Sequence, residues 1–358
     1  MCRWFDSAPG HQEHSSRNAH SCKWALSFLR FTVLVSGLFP VLRALGSHRY
    51  LWAPILDWRL NSSGRIHFVN GTLEDKNVRR PPKMITILTA DSYRGFSAHL
   101  GEVLAGANAA AQPIFVGRVV WPGCDEAEDV VIKLYETSSC GVANEAIGYV
   151  ANALRGVRQP RKSGVLLLSK QELPDLKKDL STYIDPYTGF AACWITSFEA
   201  SSRPFRYIRR LSSFSKKQSE TFYSSQFCIR LATIDHVTGN NDRHEGNFLY
   251  EDDLKYMAID QGCVGGGKFW HTSWPERNVR NELSLLAQDN LSASRLAAWR
   301  ATAIMEYEKS QNDWNAIFIE ISSTLQGLLL TEEIDSIIEY MKERATGPAF
   351  ASSCERLI

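Results

Sequence analysis

Apolar residues change their period near the middle of the chain. Before about residue 200 they come in short, β-branched or aromatic runs at 115–120, 130–135, 165–169 and 192–198, a pattern that predicts strands. Trp121-Pro122-Gly123 and an acidic stretch separate the first two runs and predict a hairpin. Between the second and third, 144–154 carries its apolar residues at helical spacing. Farther on, Tyr223, Phe227, Leu231 and Ile234 fall at i, i+4, i+8 and i+11 and predict one helix. Trp314, Ile317, Ile321, Leu325 and Leu328 predict a second, and Ile334, Ile337, Ile338 and Met341 a third. Thr331 is the expected N-cap of that third helix, with Glu332 and Glu333 in its first turn, where the helix dipole favours acids. All three stripes read as core. The expected class is α+β, strands first and helices after.

The first 83 residues do not share this pattern. The opening 22 are polar, with three His and several Ser, and read as disordered. Residues 24–45 are apolar but interrupted by Arg30, Pro40 and Arg43, and their longest uncharged run (31–42) has twelve residues. A helical span needs about twenty, so membrane insertion is not expected. A charged stretch ending in Arg79-Arg80-Pro81-Pro82-Lys83 reads as a linker, and Met84 follows it. The expected organisation is therefore 1–83 as extension and linker, 84–198 as a strand-rich unit and 199–358 as a helical unit.

Composition narrows the function classes. With 358 residues and 44% hydrophobic, the chain can bury a substantial core. Its 40 Lys+Arg balance 39 Asp+Glu, which gives no whole-chain electrostatic case for direct nucleic-acid binding. The eight cysteines form no C-x-x-C pair and no zinc spacing, and read as free thiols of a reducing, cytoplasmic setting.

The candidate chemistry lies in Thr238-Gly239-Asn240-Asn241-Asp242-Arg243-His244-Glu245-Gly246-Asn247 and in Met257-Ala258-Ile259-Asp260-Gln261-Gly262. Asp242 precedes Asn247 by five positions, the D-x-x-x-x-N spacing of a protein-kinase catalytic loop. Asp260 follows eighteen positions after Asp242, ending an apolar run just before a glycine, where kinases carry a magnesium-binding aspartate. Phosphoryl transfer needs positioning and charge stabilisation more than covalent help. Asp242 suits the base that orients and deprotonates a hydroxyl. Asn247 and Asp260 offer the oxygen ligands that Mg2+ prefers. Upstream, Val130-Val131-Ile132-Lys133 is close to the V-A-I-K strand whose lysine holds ATP phosphates. Glu145, twelve positions on, is the expected helical partner of Lys133.

With these residues in this order, the chain resembles the HipA-like kinases, a divergent branch of the protein-kinase-like fold first associated with bacterial toxin kinases. The resemblance is carried by the Asn-x-Asp-Arg-His-x-x-Asn form at 240–247 and extends over roughly 84–290. It implies a bilobal fold, with a β-rich N-lobe and a helical C-lobe. It further implies ATP and Mg2+, Asp242 as base, Asn247 and Asp260 as metal ligands, Lys133 on the ATP phosphates, and a Ser or Thr hydroxyl on a protein as acceptor. A small antitoxin-like partner accompanies the toxin members and is allowed here. Glu199, opening the connector 199–203, is expected at the hinge where adenine docks.

Two departures stand out. No G-x-G-x-x-G precedes the hairpin; the nearest phosphate-binding candidate is the Ala-rich stretch around Gly106, which reads equally as a helix. Asp260-Gln261-Gly262 lacks the usual aromatic or apolar middle residue, and Gly265-Gly266-Gly267 suits either a mobile loop or a linker. Phosphoinositide kinases also carry an Asp-Arg-His-x-x-Asn loop. A lipid or small-molecule kinase therefore stays open, as does a non-catalytic nucleotide-binding module of the same fold.

Overall fold

The computed structural model describes residues 57–60, 66–69, 84–99, 112–176, 179–211, 214–251, 255–270, 279–346, 348 and 350–352. Strands β1 (Asp57–Leu60) and β2 (Ile66–Val69) pair as an antiparallel hairpin of their own. A six-stranded sheet follows, built from β3 (Thr86–Leu88), β4 (Tyr93–His99), β5 (Ile114–Val120), β6 (Ala127–Leu134), β7 (Ser163–Ser169) and β8 (Phe190–Ser197). Its order is β3-β7-β8-β6-β5-β4. Only the β3–β7 pairing is parallel. The expected hairpin is β5–β6, with Ile114 opposite Lys133 and Val120 opposite Ala127.

Strand alternation sorts this sheet into two faces. On β6, Val130, Ile132 and Leu134 join Phe115, Leu166, Leu168, Cys193 and Ile195 in one buried cluster. Leu173, Leu176, Leu180 and Ile184, from the β7–β8 connection, pack against it. Lys133 and Tyr135 take the opposite parity. Tyr135 belongs to the other cluster, which also holds helix α1 (Gly141–Leu154) with Val165 and Trp194 of the sheet. Residues 141–152 of α1 are all buried, because the helix is covered on more than one side. That burial is why α1 is apolar nearly all round rather than along a stripe.

Next come β9 (Arg203–Pro204), α2 (Phe205–Arg209), α3 (Lys216–Tyr223), α4 (Gln226–Thr238), β10 (Phe248–Glu251) and β11 (Lys255–Ala258). The helices α5 (Glu282–Asn290), α6 (Ala293–Ser310), α7 (Trp314–Leu325) and α8 (Thr331–Ala345) complete the described chain. The architecture is thus mixed α+β. The helical half also holds a small sheet, order β11-β10-β9, that the hydrophobic pattern did not announce.

The single helix expected through Tyr223 and Ile234 is two. α3 ends at Tyr223, and Ser225 starts α4 by accepting the Cys228 N–H at 3.3 Å. A serine cap competes with helix continuation by offering the backbone a side-chain partner, and periodicity alone does not register it. Thr331 is likewise the first residue of α8 rather than its cap. Leu330 holds that place, its N–H donating to Glu333 Oε2 at 2.9 Å.

One core residue makes stability pH-dependent. His236 of α4 is buried beside Tyr307 and Phe350, at ring separations of 5.7 and 5.0 Å. Burial, with the Arg344 guanidinium nearby, pushes its imidazole down to about 3. A depressed folded value means that the unfolded chain takes up the proton first. Stability is therefore full above the ordinary histidine value of about 6.5 and falls as pH drops, by up to about 1.4 kcal/mol per pH unit. Urea unfolding at about pH 7.5 and about pH 5 will show this loss, and His236→Phe will flatten it. An unchanged slope in that variant would remove His236 as its source.

Candidate functional site

Helix α4 leads into the loop that carries Asp242 and Asn247. It ends at Gly239, whose φ of +68° is the left-handed C-cap conformation that glycine takes without strain. A Cβ there would lie 2.2 Å from the Tyr340 hydroxyl, so the close approach of α8 also requires glycine. The chain then turns through Asn240–Asn247 into β10. Asn240 is buried, and its Oδ1 accepts the Asp242 N–H at 3.1 Å. Asn247 Nδ2 donates to the Asp242 carbonyl at 2.8 Å, and Asn247 O accepts the Ile259 N–H at 3.0 Å. The loop is thereby closed on itself and tied to the chain just before Asp260. The Asp242 side chain stays exposed.

Arg243 is the bolt of this arrangement. Buried, it donates to both Asp235 carboxylate oxygens at 2.9 and 2.8 Å, to the Ile259 carbonyl at 3.0 Å and to Gln261 Oε1 at 2.5 Å. A bidentate guanidinium–carboxylate pair fixes orientation as well as distance. Here it joins α4, the loop and the segment after β11. Burial opposes the Arg243 charge, but Asp235 outweighs it and raises the Arg243 pKa, whereas burial raises Asp235 against the pull of Arg243.

On the sheet side, Lys133 is buried and donates to Glu145 Oε1 at 2.9 Å and also to Asp260. The expected strand–helix ion pair is present, and it includes the candidate metal aspartate. Burial opposes the lysine charge, but Asp260 and Glu145 prevail and raise its pKa. Burial likewise opposes the Asp260 charge, and Lys133 with Arg243 lowers its pKa nonetheless. Asp260 has a φ of +59°, the sole non-glycine residue at positive φ among the described residues. Sparsely populated backbone of this kind persists where its surroundings over-determine it, and it gathers at functional sites.

Two more residues complete the cluster: Tyr135, which sequence reasoning did not single out, and Gln261, which it noted only as a departure from the motif. Tyr135 donates its hydroxyl to Glu145 Oε1 at 2.6 Å, alongside Lys133. Burial, followed by the Glu145 and Asp260 charges, pushes its phenol far above the usual range, so it remains a donor. Gln261 gives its N–H to Glu145 Oε2 at 2.8 Å while its side chain reaches Arg243. It lies so close to α1 that a Cβ on Gly148 would meet its own Cβ at 2.4 Å. In place of an apolar residue after the aspartate there is a polar wedge connecting α1 to the loop. The available signal was Tyr135 standing two places after Lys133, hence on the same strand face. Tyr135→Phe removes a buried hydrogen bond to a charged acceptor and is expected to cost about 1.5–3 kcal/mol in urea unfolding. A loss below about 0.5 kcal/mol would mean that Glu145 does not need it.

The triple glycine is not free in the described part. Gly265, Gly266 and Gly267 have φ of +70°, +83° and +153°. The Gly266 N–H donates to Gly239 O at 2.8 Å, and Asn241 Nδ2 donates to Gly266 O at 2.7 Å. Asn144 of α1 donates to Gly262 O and Gly267 O at 2.9 and 3.0 Å. At these three positions the positive φ is backbone that glycine adopts without strain, and residues 271–278 of the segment that follows lie outside the described residues. Cys263, in the same turn, donates its thiol to Asp242 Oδ2 at 3.7 Å. Burial and the Asp242 charge push that thiol up to about 12, so it stays protonated.

Glu199 does not join the cluster through its side chain. Its carboxylate accepts from the Ser197 hydroxyl at 2.8 Å and from the Arg161 N–H at 3.2 Å, bracing the end of β8 against the start of β7. Gly106, the expected phosphate-loop residue, lies outside the described residues.

The donor set fits a magnesium ion bound together with a nucleotide. Asn247 Oδ1 is buried without a hydrogen-bond partner, and such an orphaned acceptor needs an explanation. Asp260 supplies a carboxylate one residue after Ile259, whose N–H donates to Asn247 O. No group of three or more His, Cys, Asp or Glu suited to a metal occurs among the described residues. Mg2+ does not need one, since it is commonly held by one or two protein groups plus phosphates and water. No helix among the described residues is long and apolar enough to cross a membrane. Comparison with the known protein families found no match, and comparison with curated proteins found none either.

Proposed function

We propose that the chain is an ATP- and Mg2+-dependent phosphotransferase of the HipA-like type, acting on a Ser or Thr hydroxyl of a protein. The observation that carries this reading is the convergence of Lys133, Glu145 and Asp260 in one buried cluster, joined through Arg243 to the loop bearing Asp242 and Asn247. In this reading the sheet of 84–198 is the N-lobe, the helical part of 199–358 is the C-lobe, and the connector after β8 is the hinge. Lys133 binds ATP phosphate oxygens, held in place by Glu145, Tyr135 and the backbone of Gln261. Mg2+, when bound, neutralises charge on the transferring phosphates. Asn247 Oδ1 and Asp260 would hold it. Asp242 orients the acceptor hydroxyl and takes its proton. The acceptor oxygen forms a bond to the γ-phosphorus, the bond from that phosphorus to the bridging oxygen breaks, and ADP leaves with the electron pair.

Titration calorimetry of ATP into the full chain tests the binding half of this reading. Binding is expected in Mg2+ and at least about tenfold weaker in EDTA, because two ligands of the metal come from the protein. Equal binding in both would remove the metal role of Asn247 and Asp260.

A further inference from the structure

The chain is nearly neutral, at +1 overall, but its charge is not evenly spread. Residues 200–219 hold Arg203, Arg206, Arg209, Arg210, Lys216 and Lys217 and no carboxylate, so this short stretch carries +6. Arg209 is committed. It pairs with Glu245 of the catalytic loop, which also accepts from the Tyr223 hydroxyl at 3.1 Å. The other five cations are exposed, and none has an ion-pair partner among the described residues.

The neighbouring carboxylates are engaged elsewhere. Glu220 pairs with Arg295 at 3.1 Å, Glu199 lies 3.5 Å from Arg161, and Glu251 pairs with Arg158. These three carboxylates are thus taken by arginines outside the 200–219 stretch. The cationic face is also rigidly placed. Phe205 of α2 and Phe214, just before α3, pack edge-to-face at 5.5 Å, holding both cationic elements together. Through β9, Arg203 is opposite Tyr250 of β10, the strand that begins at the end of the catalytic loop. Glu245, the anchor of Arg209, is three residues from Asp242, a reach of at most about 11 Å of chain.

Lys216 and Lys217 occupy the first turn of α3, where the helix dipole disfavours cations. Arg206 and Arg210 stand four apart on and just after α2, and so share a face. Tyr207, exposed between them, adds an amphipathic ring.

We propose that this face, formed by β9, α2 and the start of α3, docks the acidic flank of the protein acceptor, bringing its hydroxyl to Asp242. The inference rests on the phosphotransfer reading and deepens it by naming the acceptor class, a Ser or Thr beside a run of Asp or Glu. Pairing Glu245 with Arg209 offsets one of the two carboxylates of the 240–247 loop, and the other, Asp242, is the proposed base. Five cations on three short elements suit a short acidic peptide. A duplex, by contrast, commonly engages about six to ten phosphates.

The test uses the full chain and two fluorescein-labelled peptides, one serine flanked by Glu and Asp and the same serine flanked by Lys. Anisotropy titrations are run with wild type, R206E/R210E and K216E/K217E, and ATP–Mg2+ affinity is measured on each protein. The acidic peptide is expected to bind at least about tenfold tighter than the basic one, to weaken with added salt, and to lose about tenfold or more in either variant. ATP–Mg2+ affinity is expected to be unchanged. K216E/K217E should melt no lower than wild type, since acids suit the first turn of α3, so its loss of binding cannot be unfolding. Equal binding of both peptides, or of the acidic peptide by both variants, would overturn the proposal. So would tighter binding of an oligonucleotide or of phosphatidylserine vesicles than of the acidic peptide. ATP–Mg2+ binding without peptide binding would overturn the docking face alone. Peptide binding without ATP–Mg2+ binding would overturn the phosphotransfer reading and with it the acceptor role.

Discussion

Asp242→Asn is expected to fold as the wild type does and to transfer phosphate about 10²- to 10⁴-fold more slowly, the usual effect of removing a general base. The loop around it is held by backbone and by other side chains. The Asp242 N–H is satisfied by Asn240, its carbonyl by Asn247, and the following residue, Arg243, is anchored to Asp235. The Asp242 carboxylate itself is exposed and, among the described residues, receives only the long Cys263 thiol contact. An isosteric amide therefore costs the fold little while removing the proton acceptor. Circular dichroism, thermal melting and labelled-phosphate transfer on the same preparation will separate the two effects. Transfer at the wild-type rate would dismiss Asp242 as the base, and a large fall in melting temperature would give it a structural role that the geometry does not show.

Asp260→Asn should fold as well, yet lose Mg2+-dependent ATP affinity by more than about tenfold and transfer by about 10²–10³-fold, as expected for a group that stabilises developing charge. Asparagine tolerates left-handed backbone, so the φ of +59° at this position remains accessible. Asp260→Val separates chemistry from strain. A β-branched residue at positive φ is a genuine outlier, and a further cost of about 1–3 kcal/mol is expected in urea unfolding. Equal stability of the two variants would mean that the backbone relaxes away from this conformation. Unaltered Mg2+ dependence in Asp260→Asn would take the metal-ligand role from Asp260.

Much of the cluster was legible because it obeys local rules. Alternation along β6 put Val130, Ile132 and Leu134 on one face and Lys133 on the other. Helical spacing after residue 144 put Glu145 on a helix that packs under that second face. The five-residue step from Asp242 to Asn247 is a loop length, and loop lengths survive in sequence. What escaped notice depends on partners far away in the chain. Arg243 reads as an ordinary loop cation until Asp235 of α4 is seen beneath it. Gln261 reads as a departure from a motif until Glu145 and Arg243, 116 and 18 residues away, are found as its partners. Asn144 gives no hint of the carbonyls 118 and 123 residues on that it holds. The triple glycine suggested freedom because glycine permits it, whereas the fold uses the same residue for fixed positive φ. The break between α3 and α4 was lost because Tyr223 and Ile234 stay in phase across it. Helices α5 and α6 passed unremarked because their buried positions are few, chiefly Leu283, Ser284 and Ala287 in one and Trp299, Ala303, Tyr307 and Ser310 in the other.

Incubating the full chain with Mg2+ and γ-labelled ATP, beside Asp242→Asn, tests the proposed phosphotransfer most directly. Label on serine or threonine of the chain or of an added acidic serine peptide, present with wild type and reduced at least about 100-fold in the variant, is the predicted result. Folded wild-type protein that binds ATP–Mg2+ but moves no label to either acceptor and releases no phosphate would contradict it.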